Sequence, residues 1–183
     1  MFTIKNDKKN EIIINKSRFI TYVLKVDNIY DANKKIEELK KEYKDATLCC
    51  YAYIIDNVKR FNDDKEPKST AGMPILNVLE NKQLNHCLAV VIRYFGGIKL
   101  GAGGLIRAYS SSVSSAINDD DVIEMKKTYL KRIEFDYSNV NNINYILKDY
   151  NIKYKEFDKN VIYEFEYDED NYPTKIDNFI IKK

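Results

Sequence analysis

One eight-residue run, Cys87 to Tyr94 (CLAVVIRY), constrains this chain more than any other. Its first six residues are apolar without alternation, so as a strand it must be covered on both faces. That demands a central place in a sheet with packing layers above and below it. Directly after it, Gly96, Gly97, Gly101, Gly103 and Gly104 crowd into one short stretch, leaving only Gly72 elsewhere. The predicted order is strand, glycine loop, then a helix from about Leu105 to Ile117.

The segments around this centre read as partners for it. Glu11 to Asn15 and Arg18 to Val26 form a strand pair around Lys16 and Ser17, and Thr47 to Asp56 is a further buried strand. Asp27 and Asn28 can cap a helix whose Ile29, Ala32, Ile36, Leu39 and Tyr43 recur at helical spacing. Asn57 to Thr70 reads as a polar loop, followed by a short helix over Pro74 to Lys82 with proline in its first turn. Asn118 to Asp121 ends the helix after the glycines. Alternating strands follow at Tyr129 to Tyr137, Ile152 to Phe157 and Val161 to Tyr167, with a helix over Asn139 to Tyr150 and a last one opening at Pro173. The expected architecture is α+β in two domains, residues 1–126 and 127–183.

Composition narrows the function classes. The first part carries 20 Lys and Arg against 17 Asp and Glu, and the second 10 against 11. A net charge of +2 excludes a strongly basic nucleic-acid binder and an acidic solvating tail. No apolar run approaches the roughly 20 residues of a membrane span, and the start lacks a secretory pattern. Three cysteines, two of them adjacent at Cys49 and Cys50, make no disulfide framework and predict a cytoplasmic setting.

The chemistry-bearing residues gather in two places. Arg93, Lys99 and Arg107 surround the glycines, and exposed backbone N–H groups at a helix start would complete an anion site. Gly101 is followed by Ala102 and Gly103 where a P-loop needs lysine and a hydroxyl residue, and Ile106 stands where a dinucleotide fingerprint needs glycine. A tight turn with close helix–sheet packing explains the same glycines, and Ser110, Ser111, Ser112, Ser114 and Ser115 suit that packing. Asp63, Asp64 and Glu66, with Lys68 nearby, form an acidic loop that can hold Mg²⁺ or merely face solvent. His86 is the single histidine, and no zinc or nucleophilic constellation is predicted.

The motifs are specific enough to name a resemblance. Arg93-Tyr94-Phe95-Gly96-Gly97, Lys99-Leu100-Gly101 and Gly103 to Tyr109 resemble the signature of the YigZ/IMPACT family. Lys16 to Phe19, Thr47 with Cys50 to Tyr53, Asp63-Asp64, Glu66-Pro67 and Thr70 to Gly72 match in family order. The resemblance implies a first domain folded like the C-terminal domain of a small-subunit ribosomal protein and like domain IV of elongation factor G. It implies a ferredoxin-like second domain. Eukaryotic relatives act in translational control, opposing activation of the starvation-responsive initiation-factor kinase through its ribosome-bound activator; bacterial members are thought to bind nucleic acid or ribosomes. Leu48 stands where the family has histidine, Lys65 and Lys68 where it has glycine and serine, and Ile98 and Ala102 where it has threonines. The ferredoxin-like pattern also lacks its last strand.

These readings predict a non-enzymatic regulator of translation with no cofactor and no metal. Its partner would be RNA, the ribosome or a protein of translation control such as a ribosome-associated one, with Arg93, Gly96, Gly97, Lys99, Gly101, Gly103, Gly104 and Arg107 as the anion- or RNA-binding candidates. The alternatives are an enzyme or sensor for a small phosphate compound and a protein-interaction adaptor.

Overall fold

The computed structural model describes residues 1–181. The chain divides into two compact units, Met1–Met125 and Lys126–Lys183.

The first unit is built on a five-stranded antiparallel sheet. Its strands are β2 (Lys8–Ile14), β3 (Ser17–Lys25), β4 (Leu48–Ile55), β5 (Val58–Asn62) and β6 (Cys87–Tyr94), in the order β2-β3-β6-β4-β5. β6 is central, as its continuous apolar run requires. Leu88, Val90 and Ile92 face α1 (Ile29–Glu42), while Cys87, Ala89 and Val91 face α2 (Gly72–Asn81) and α3 (Gly101–Ser114). Asn28 caps α1 by accepting from the Asp31 N–H at 2.9 Å. A small two-stranded sheet, β1 (Phe2–Ile4) with β7 (Val122–Glu124), brings the buried Ile4 onto the α2–α3 side of the core.

Several expectations change. The Asn57–Thr70 loop contains β5, which escapes pattern reading because its side chains beyond Val58 are exposed. The first hairpin turns at Asn15 and Lys16, one residue earlier than expected, both with positive φ. The glycine loop before α3 holds only Gly96 and Gly97, and the helix itself starts at Gly101 instead of Leu105. Of its serines only Ser112 is buried, and Leu105, Ala108, Tyr109 and Val113 make the rest of the packed face. Short β1 and β7 have no counterpart in the sequence reading.

The second unit is a three-stranded antiparallel sheet of β8 (Thr128–Phe135), β9 (Asn151–Phe157) and β10 (Val161–Asp168), ordered β8-β10-β9. Phe135, Tyr163 and Phe165 meet Ile143 and Leu147, from α4 (Val140–Ile146) and the residue after it, in a separate core. The expected helix over 139–150 is thus shorter, and a 3-10 turn at Tyr137–Asn139 precedes it. The expected last helix is a 3-10 segment, Thr174–Asn178, that buries Ile176. Ile180 then bridges antiparallel to Phe135, placing the chain along the outer edge of β8.

Candidate functional site

Arg93 lies near the end of β6 on the face covered by α2 and α3. Its side chain is 6% exposed and ion-paired with Glu66, also 6% exposed, through Nη1 and Oε1. Nη2 donates to Ser17 Oγ at 3.3 Å, and the guanidinium sits 5.3 Å from the Phe19 ring centroid and 5.6 Å from that of Phe95. Ser17 Oγ also accepts from the Gly96 N–H at 3.2 Å. On the carboxylate side, Tyr109 from α3 donates its hydroxyl to Glu66 Oε1 at 2.9 Å, and Cys50 Sγ lies 3.5 Å from that hydroxyl. Burial pushes the Tyr109 phenol and the Cys50 thiol far above their ordinary values, so both stay protonated. The network joins β3, β4, β6, α3 and the acidic loop beneath the glycines. Arg93 and Glu66 neutralise each other there.

The acidic loop is scaffold. Asp63 Oδ1 accepts from the Ala71 and Gly72 N–H groups at 3.0 and 2.8 Å, and Oδ2 accepts from Ser69 at 2.8 Å. The carboxylate thereby caps the start of α2, whose N-cap residue Ala71 has no side chain to do so. Asp64 accepts from the Cys49 N–H at 3.0 Å, and Lys68 is exposed. Asp63, Asp64 and Glu66 therefore point to three different jobs, and among the described residues no three metal-ligating side chains gather.

The glycines divide by role. A Cβ on Gly96 would fall inside the backbone of Lys16 and Ser17, so this glycine lets the first hairpin press against the end of β6. Gly97 and Gly101 have φ of +84° and +69° with open space beside them, and turn the chain into α3. Gly103 and Gly104 lie in the first turn, where a Cβ would meet Arg107 Nη1 at 3.6 Å and Leu100 Cβ at 3.0 Å. Leu100 occupies the N-cap position, makes no side-chain cap and leaves Gly101, Ala102 and Gly103 exposed. The first N–H groups of α3 thus present partial positive charge outward, with no acidic residue in the first turn.

Lys99 and Arg107 flank this helix start in two adjoining cavities. One, of about 340 Å³, is lined by Glu66, Arg93, Phe95, Lys99, Leu100 and Gly101 among others. The second, of about 300 Å³, is lined by Asn15, Leu100, Gly104, Arg107 and Ser111 among others. Leu100 is common to both, so the two cations serve separate hollows on either side of one leucine. Sequence reasoning missed Phe95, Ser17 and Tyr109 as parts of the site. The contacts of Ser17 and Tyr109 join residues 43 to 79 positions apart and leave no local periodic trace.

The Impact N-terminal domain matches residues 15–117, more than half of the chain, and includes Ser17, Glu66, Arg93, Lys99, Arg107 and Tyr109. The chain belongs to the IMPACT family. The IMPACT family member YvyE of Bacillus subtilis (strain 168) is 43% identical over 168 residues, spanning 90% of this chain and 77% of that one. The IMPACT family member YigZ of Escherichia coli (strain K12) is 40% identical over 109 residues, 57% of this chain and 53% of its own. A crystal structure described as that of a hypothetical protein has a TM-score of 0.68 at 27% identity, covering 97% of this chain and 88% of that one. In this IMPACT-family chain the glycine segment is thus part of a matched domain and not an isolated motif.

Proposed function

We propose that this chain is a non-enzymatic cytoplasmic regulator of translation that docks on RNA, including RNA of the ribosome, through the face around the start of α3. The observation that carries this reading is the uncapped first turn of α3 with Lys99 on one side and Arg107 on the other. Phosphates of an RNA backbone suit two separate cationic hollows better than one compact phosphate does. The family resemblance to translational regulators supports the same reading, as does the chemistry available. Burial raises the Cys49 thiol to about 11 and the Cys87 thiol to about 12, leaving no activated nucleophile among the cysteines. No helix among the described residues is long and apolar enough to cross a membrane. We read residues 1–126 as the family's ribosomal-protein-like domain and residues 127–183 as ferredoxin-like, since Ile180 beside β8 takes the edge that a fourth strand would occupy.

Salt-dependent cosedimentation with ribosomes tests the reading. Binding should weaken as salt rises and should fall sharply in the Lys99→Ala, Arg107→Ala double variant. Binding that is indifferent to both changes would exclude this face. Retention by a ribosomal protein stripped of RNA would favour the adaptor alternative. Thermal stabilisation by a free nucleotide would favour the small-molecule one.

A further inference from the structure

The cavity on the Lys99 side is ill-suited to a bare phosphate. Phe95 is 46% exposed and lines it, with Leu100 and Leu105 as further apolar wall. Lys99 and the Gly101 end of α3 supply the positive charge. Arg93 also lines it, and Arg93 Nε is a buried donor with no hydrogen-bond partner among the described residues. The hollow therefore pairs a flat aromatic surface with an anion-attracting rim. At about 340 Å³ it lies at the small end of ligand cavities, which run from roughly 300 to 1,000 Å³.

We infer that this cavity takes one unstacked nucleotide of a single-stranded RNA. The base lies against Phe95 with an acceptor turned toward Arg93, and the adjoining phosphate meets Lys99 and the first N–H groups of α3. This rests on the RNA-docking reading and goes beyond it in naming the strand state and the base contact. A base within a duplex is stacked on both sides and cannot offer its face to the phenyl ring, whereas an extruded base in a loop or bulge can. The Arg107 hollow, without an aromatic wall, then contacts only backbone.

Fluorescence anisotropy on the full chain tests this with a labelled single-stranded RNA on the order of ten nucleotides long and the same RNA annealed to its complement. The single strand should bind more tightly. Phe95→Ala should weaken single-strand binding by roughly 5- to 150-fold, the usual effect of losing one base–aromatic stack, and leave duplex binding unchanged. Phe95→Leu keeps an apolar cover over Arg93 without a ring and should lose the same preference, whereas Phe95→Trp should retain it. Thermal unfolding of each variant separates lost binding from lost folding. Equal loss for both RNAs, or no loss for the single strand in folded Phe95→Leu, overturns the nucleotide pocket and leaves RNA docking intact. Failure of the unmodified chain to bind either RNA or ribosomes overturns the docking reading itself.

Discussion

Replacing Glu66 with alanine should destabilise the first unit far more than loss of a surface carboxylate does. The variant leaves the buried Arg93 guanidinium with Ser17 Oγ, at 3.3 Å, as its one remaining side-chain hydrogen-bond partner among the described residues. It also removes the acceptor of the Tyr109 hydroxyl. An orphaned buried charge costs about 3–5 kcal/mol. The tyrosine's lost bond falls within that figure because the groups share one network. Glu80→Ala, which breaks the solvent-exposed Lys59–Glu80 pair, should cost about 1 kcal/mol or less. All three cysteines belong to the first unit, so pulsed thiol labelling along a urea series reports that unit alone. Cys87, fully buried in β6 and remote from Glu66 in the network, gives the cleanest signal. The midpoint shift multiplied by the urea slope yields the loss. Glu66→Met combined with Arg93→Met should be less damaging than Glu66→Ala, because no charge remains to be solvated. A loss near that of Glu80→Ala, or a double variant worse than the single one, would refute the reasoning.

Three further outcomes are expected. Gly96→Ala should destabilise the first unit by about 1–3 kcal/mol, read as a lower urea midpoint, because its Cβ displaces the backbone of the first hairpin. Gly101→Ala and Gly103→Ala should move thermal stability in opposite directions. The first places a side chain at φ +69° and costs on the order of 1 kcal/mol, while the second gains helix propensity of about the same size in near-open space. The Lys8 ammonium beside Asp121 holds that carboxyl below the usual carboxylate value. Its contribution is therefore present above about pH 4 and lost as pH falls further. Acid titration of the folded chain should show this loss, and Lys8→Ala should shrink it.

The central strand was legible because six consecutive apolar residues have only one economical place in a sheet. The Asn28 cap was legible because a short polar side chain directly before a helical pattern has a local partner. β5 was not, since Lys59, Arg60, Phe61 and Asn62 lie on an edge strand with exposed side chains and lack a buried alternating face. The start of α3 was read four residues late. Helix propensity disfavours Gly101, Gly103 and Gly104, yet the hydrophobic face from Leu105 to Val113 anchors the helix strongly enough to extend it backward. Arg93 and the glycines were recognised as candidates, but their neutralisation by Glu66 was not. That pairing joins residues 27 positions apart and depends on where the acidic loop is tied by Asp63.

The close approach of the first hairpin to Gly96 has a kinetic consequence. The hydrogen bond from Gly96 to Ser17 spans 79 positions, and it forms only where β3 has already paired with β6. The surface around α3 therefore cannot be assembled by the glycine segment and its helix alone. The 79-position separation predicts that this surface matures late, because loop-closure entropy is lost before that contact can stabilise anything. During synthesis both strands of the first hairpin emerge before the glycines, but a lone hairpin is marginally stable, so its pairing is secured only when β6 joins it. Circularly permuted variants that open the chain within the first hairpin should slow the appearance of this surface while leaving β4, β6 and α1 able to collapse together.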